Sequence, residues 1–378
     1  MKKCVVVSDS FKGTLSSLEI CRLARESVPR LFPGCEVDTV PVADGGEGTV
    51  DCFVEALGAQ KVPVSVTGPF GEPVQAAYAR KGEQAIIEMA AAAGLPLAGT
   101  RGDPERTTTY GVGQLLRHAV EQGCRRILLG LGGSATNDGG CGCAAALGAE
   151  FRNARGETFV PVGGTLDQIV QVDTGTLRAL LKDVRVTVMC DVENPLHGPQ
   201  GAAHIFGPQK GADPEMVRRL DGQLQALDEV FRRELGMDLG RRPGSGAAGG
   251  MGAGCVAFLG AELRSGIEAV LDTVRFDRRL EGADLVITGE GRIDAQSLGG
   301  KVISGVAGRV RPRGIPLVAI VGAIDPSASA AYDLGVTAIF GIDREAKDFR
   351  EYASRSAENY QRTLEDILRL IRAVSRRA

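Results

Sequence analysis

The chain has 378 residues, 43% of them apolar and 24% charged, with a formal net charge of −3. That length suffices for two domains with buried cores, and the near-neutral charge leaves no basic stripe for nucleic acid and no polybasic segment for an anionic membrane. Small molecules are the expected partners.

In "MKKCVVVSDSF" the apolar run is too short for a signal peptide, and no later stretch reaches the roughly 18 apolar residues of a membrane helix. The cytoplasm is therefore the expected location. Nine cysteines without a CxxC pair do not form a disulfide framework, and with three histidines in the chain no zinc site is expected.

"KKCVVVS" is a short β-branched run of the kind buried in parallel sheets. A helix follows, because Ser16 and Glu19 match a capping box, Ile20, Leu23, Ala24, Ser27 and Leu31 share one face, and "FPG" ends it. "CEVDTVPV" reads as the next strand and "GTVDCFVEALG" as a helix closed by Gly58. The period then changes to two around Gly-Pro and Gly-Glu-Pro turns in "KVPVSVTGPFGEPVQAAYARKGEQAIIEMA", which predicts hairpins. Near the C-terminus "GADLVITGEG", "IPLVAIVGAI" and "VTAIFGI" restore buried-type strands, and "ASRSAENYQRTLEDILRLIRAVSRR" is a long amphipathic helix. The simplest architecture is one doubly wound five-strand α/β domain of residues 1–62 and 281–378, with a second α/β domain of residues 63–280 inserted; if its strand order is 2-1-3-4-5, the loops after its first and third strands face each other. The active site is expected in the cleft between the two domains.

In doubly wound sheets ligands lie beyond the carboxyl ends of the strands, at the point where strand order reverses. Three loops occupy such ends: "SDSFKGT" with Ser8 and Lys12, "ADGGEGT" with Asp44, and "GEGRIDAQSLGGK" with Glu290, Arg292 and Asp294. Each combines glycines with carboxylates, and two carry a lysine. Glycine lets backbone N–H groups approach phosphate oxygens, lysine neutralises charge, and carboxylates hold Mg²⁺. Any one loop reads equally as cap and turn chemistry; the coincidence of three favours a ligand.

The inserted segment adds "RRILLGLGGSATNDGGCGCAAALGA", a strand, a glycine-rich loop and a helix, the usual context for a phosphate. Gly132 and Gly133 would let the chain bend close to it, with Ser134, Thr136 and Asn137 as polar contacts. The loop is not a Walker A motif. "VTVMCDVENPLHGPQGAAHIFGPQKGAD" puts Asp191 at a strand end and Lys210 in a turn, and "GSGAAGGMGAGCVAFL", with Gly249 and Gly250, reads as a buried loop leading into a helix.

In this order, "SDSFKGT", "ADGGEGT", "TTTYGVGQL", "GLGGSATNDGG", "CDVENPLHGPQGAAHIFGPQKGA", "GAAGGMGAG" and "TGEGRIDAQSLGGK" closely resemble the bacterial glycerate kinase family. The motifs run from Ser8 to Lys301. The resemblance implies ATP- and Mg²⁺-dependent phosphorylation of D-glycerate, in most bacterial members at the 2-hydroxyl, on a flavodoxin-like domain with an inserted α/β domain.

Phosphoryl transfer needs an aligned hydroxyl and neutralised charge. On that basis Asp191, Lys12 and Asp44 are the expected catalytic group, with Asp191 accepting or orienting the hydroxyl proton. Lys210, Arg292, Ser8 and Asp294 would bind substrate, with Arg101 and Arg106 as further carboxylate partners. Gly132, Gly133, Ser134, Thr136, Asn137, Gly249 and Gly250 would hold the nucleotide, and Glu290, Asp294 and Asp191 the metal. The division of base and metal duties among Asp44, Asp191 and Glu290 stays open, as does the oligomeric state, homo-oligomer included. A 3-kinase and a non-catalytic two-lobed acid sensor are the alternatives; a hydride-transfer enzyme would need G-x-G-x-x-G directly after a strand.

Overall fold

The structure, a computed structural model, describes residues 1–43, 45–294, 300–343 and 353–375. Two compact units divide the chain, one of Met1–Ala43, Glu55–Gly58 and Ile267–Ala378, the other of Asp44–Val54 and Ala59–Gly266.

The first unit is built on a five-stranded parallel sheet. From one edge to the other its strands are Glu36–Pro41, Lys3–Ser8, Leu285–Gly289, Leu317–Val321 and Ala338–Gly341, which is sequence order 2-1-3-4-5. β-branched and aliphatic residues fill both faces of the central strands, as a sheet covered on both sides requires. Cys4 and Val6 point into a cluster with Ile20, Leu23 and Val28 of helix Ser17–Leu31 and Tyr360, Leu364 and Leu368 of helix Ser356–Ser375. Val5 and Val7 are equally buried and, by the two-residue period, face the other way. The capping box forms: the Ser16 hydroxyl accepts from the Glu19 amide at 3.2 Å.

The second unit carries a six-stranded mixed sheet, ordered Glu262–Arg264, Arg185–Met189, Arg126–Gly130, Gln84–Glu88, Pro73–Lys81 and Gln60–Thr67. The last three form the antiparallel meander that the two-residue period predicts, and the first four run parallel. Its core includes Tyr78, Ile87, Leu115, Leu129 and Leu224, with Phe258 edge-on to both Phe151 and Phe231. Cys141 and Cys143, beside the glycine loop, are buried packing residues.

The unit boundaries fall elsewhere than the sequence reading placed them, at residues 62 and 281. Residues 45–54 join the second unit because the glycine turn of "DGGEGT" lies against the Arg126–Gly130 strand end: a Cβ on Gly130 would sit 2.3 Å from the Gly45 carbonyl oxygen. Residues 267–280 join the first unit. Arg309 there pairs with Glu268, and with Asp272 at 2.8 Å and Asp277 at 2.6 Å, while Arg279 reaches Asp38 at 2.5 Å and the Ala56 carbonyl at 2.6 Å.

Candidate active site

In the first unit, the loops after Lys3–Ser8 and Leu285–Gly289 meet, as the switch-point rule predicts. The Asp9 amide donates to the Gly289 carbonyl at 2.9 Å, and a Cβ on Gly291 would lie 3.3 Å from the Phe11 Cα. Ser8 is fully buried, its hydroxyl donating to the Gly289 carbonyl at 3.1 Å and to the Asp9 carbonyl at 3.0 Å, so it fastens the two strand ends together. Lys12 is exposed at the loop tip. Glu290 is buried and Asp294 half-buried. Arg292, expected on a substrate carboxylate, points its guanidinium at Asp325, 2.9 Å away. The Ser327 amide and hydroxyl, and after them this pairing, pull the Asp325 pKa down to about 2.

Asp44 lies outside the described residues, as does the stretch 295–299 within "GRIDAQSLGGK". Arg101 pairs with Glu72 at 2.9 Å and lies 4.3 Å over the Phe70 ring, and Arg106 is exposed.

The second unit gathers its polar groups along the carboxyl ends of its parallel strands, where Glu88 and Gly130 are register partners. Gly132 is needed for close approach: its Cβ would fall 2.6 Å from the Gly46 Cα, and its amide donates to the Gly45 carbonyl at 3.0 Å. Gly133 takes φ +73° and is exposed at the bend. The chain then turns inward. The Ala135 amide donates to the Ala93 carbonyl at 2.9 Å, and Thr136 and Asn137 are fully buried.

Gly249 and Gly250 back this loop. Both have positive φ, and a Gly249 Cβ would lie 2.0 Å from the Thr136 carbonyl oxygen. The preceding letters, Gly244 to Gly249, fit G-x-G-x-x-G, but they follow a turn, with no strand among the described residues between Met189 and Glu262. The dinucleotide context is therefore not met.

Asp191 is exposed two residues past its strand, and one carboxylate oxygen accepts from the Gly266 amide at 2.7 Å. Lys210, expected to touch phosphate or carboxylate, is instead 3% exposed. Its ammonium donates to the Ser134 hydroxyl at 2.9 Å and the Thr136 carbonyl at 2.6 Å. Burial pulls it down to about 7, against the upward influence of Asp138.

Two carboxylates that the sequence reading did not assign stand out. Asp138 is fully buried and accepts from the Thr109 amide at 2.7 Å, the Thr109 hydroxyl at 2.8 Å, the Gly140 amide at 3.1 Å and the Gly142 amide at 3.2 Å. Burial raises its pKa despite those donors. Glu88 ends its strand and accepts from the Val50 amide at 3.2 Å, at the start of helix Thr49–Leu57, and burial raises its pKa too. Its position at a strand's carboxyl end was a usable signal.

Carboxylates and glycine loops at the carboxyl ends of parallel strands in each unit define an α/β enzyme of small anionic molecules. The glycerate kinase family profile matches residues 4–372. A glycerate kinase of Bacillus cereus (strain ATCC 10987 / NRS 248) is 45% identical over 97% of this chain and 97% of its own length. The glycerate 2-kinase of Escherichia coli K12 is 43% identical over 90% of each chain. A crystal structure from Salmonella typhimurium LT2 assigned to glycerate kinase 2 has a TM-score of 0.89 at 40% identity, covering 99% of both chains. The chain belongs to the glycerate kinase family. It is accordingly a kinase, and that family uses ATP as phosphoryl donor. Among the described residues no helix is long and apolar enough to cross a membrane.

Proposed function

We propose that the enzyme transfers the γ-phosphoryl group of ATP directly to the 2-hydroxyl of D-glycerate, with Mg²⁺ as the required cation. The observation that carries this reading is the tied-down glycine loop at the end of Arg126–Gly130, with Asp191 at the end of the adjacent strand in the same unit. Such an arrangement suits a transfer whose main demand is alignment and charge neutralisation. The name of the Escherichia coli relative supports the 2-position.

Asp191 orients the attacking hydroxyl or accepts its proton, with Asp44 sharing that duty. Lys12 neutralises transferring or substrate charge from its exposed loop tip. Ser8, Arg292 and Asp294 shape the substrate end. Gly133, with Gly132, Ser134, Thr136, Asn137, Gly249 and Gly250 shaping the loop, sets the path of the nucleotide phosphates.

Glu290 and Asp294, on one loop of the first unit, offer hard carboxylate oxygens that suit Mg²⁺, and Asp191 offers another in the second unit; among the described residues no three such side chains are gathered into a closed cage. Mg²⁺ binds through one or two carboxylates, keeping waters and substrate phosphates for the rest. When bound, it would neutralise negative charge on the phosphates.

The test is one incubation of the protein with D-glycerate, ATP and Mg²⁺, followed by ³¹P NMR. A 2-phosphoglycerate resonance that vanishes without Mg²⁺ is expected. A 3-phosphoglycerate resonance would overturn the position of transfer, and intact ATP with D-glycerate and related hydroxy acids would overturn the reaction.

A further inference from the structure

We infer that Lys210 is a positioning residue: its ammonium holds the glycine loop in shape from behind and does not bind glycerate. This rests on the reading that the loop carries the nucleotide phosphates. Lys210 ends the short turn Pro208–Lys210, and the next residue, Gly211, bends away at φ +94°. The turn is seated against residue 102, where a Cβ on Gly211 would lie 2.5 Å from the Gly102 carbonyl oxygen. From there the side chain runs inward. A lysine that meets a diffusing anion presents its ammonium to solvent; this one gives two of its three donors to loop oxygens 134 and 136.

The loop is held at its other end by Asp138. Its carboxylate gathers the Thr109 amide and hydroxyl and the amides of Gly140 and Gly142, and it is the charged group whose field acts on Lys210. Between these two ties lie Thr136 and Asn137. Among the described residues, neither the Thr136 hydroxyl nor either atom of the Asn137 side-chain amide has a hydrogen-bond partner, though both residues are fully buried. Left to itself, a loop would turn such groups toward partners or water. Lys210 and Asp138 together keep it from doing so, and the arrangement persists because the surroundings over-determine it.

The decisive experiment is hydrogen exchange of the ligand-free protein, read by mass spectrometry in wild type, Lys210→Met and Ser134→Ala, alongside KM values for ATP and D-glycerate. Peptides covering residues 131–142 are expected to exchange at least about tenfold faster in Lys210→Met, with a smaller acceleration in Ser134→Ala. KM for ATP should rise by about tenfold in Lys210→Met while that for D-glycerate moves by less than about threefold. The combined variant should exchange no faster than Lys210→Met alone, because both substitutions cut the same tie. Unchanged exchange would overturn the inference, and so would a rise confined to the glycerate KM, the mark of direct contact. If Lys210→Met does not fold, Ser134→Ala decides, and unaltered exchange in it overturns the inference. The exchange readout needs no turnover, so it stands even if the kinase reading fails in the NMR assay.

Discussion

Lys210 and Asp138 show at the scale of single residues what burial does to charge. An ammonium taken out of water loses solvation that two hydrogen bonds and a distant carboxylate only partly replace, so its pKa falls from an ordinary 10.5 to about 7. The consequence for stability has a definite sign. Between about pH 7 and pH 10 the unfolded chain binds a proton at this position that the native chain has released, so this group makes the protein more stable as pH rises through that window. Buried thiols act in the opposite direction above pH 9, since burial pushes Cys21 up to about 12 and raises Cys141 and Cys143. The clean measurement is therefore a difference: urea unfolding of wild type and Lys210→Met at several pH values, in which the thiol contributions cancel. Wild type should gain on the variant from pH 7 to pH 10. Parallel curves would show that the lysine is not desolvated in the folded protein.

At the scale of elements, two glycine-rich segments fit each other backbone to backbone. Helix Ala247–Leu259 contains a left-handed run at Ala248, Gly249 and Gly250, and its middle residue faces the Thr136 carbonyl at a distance that leaves no room for a side chain. Gly249→Ala must push that loop away, at a cost of at least about 2 kcal/mol, and ATP affinity should weaken with it. Ala248 has φ +53°, where a Cβ is strained and glycine is not. Ala248→Gly should therefore stay within about 1 kcal/mol of wild type, on the stabilising side. Chemical denaturation of both variants checks the pair: a clear destabilisation by Ala248→Gly would overturn the strain argument, and a Gly249→Ala variant as stable as wild type would overturn the close approach.

This pairing also marks where sequence reading stops. The strands, the Ser16 cap and the meander are local or follow from periodicity, so "CVVVS" and "DLVIT" could be placed from their letters, whereas the flavodoxin-like pairing of the chain's two ends is what the family resemblance implies. That Gly132 is a glycine because Gly46 lies against it, or that Lys210 turns inward to residues 134 and 136, depends on contacts across 74 or more positions that no pattern records. Glu88 was missed for a different reason. Its strand was read only as part of a hairpin, and its parallel pairing with Arg126–Gly130 puts the carboxylate among the strand-end groups.

At the scale of the whole molecule, the first unit is made from both ends of the chain. Its central pairing joins Ser8 to Gly289, 281 positions away, whereas the meander and its neighbours in the second unit pair strands close in sequence. Closing so long a loop in an unfolded chain is entropically costly, and the cost falls once the intervening residues have collapsed into a compact body. The second unit should therefore fold first and shorten the effective distance between the ends. Its core is formed wholly from residues between Ala59 and Gly266, which makes that order self-consistent. In pulse-labelled refolding, amides of Arg126–Gly130 are expected to gain protection before those of Lys3–Ser8 and Leu285–Gly289. Substitutions that weaken the second core, such as Leu129→Ala, should slow the late phase as well as the early one, because the ends then have farther to search. Simultaneous protection of both sheets would show instead that the two units fold as one cooperative body.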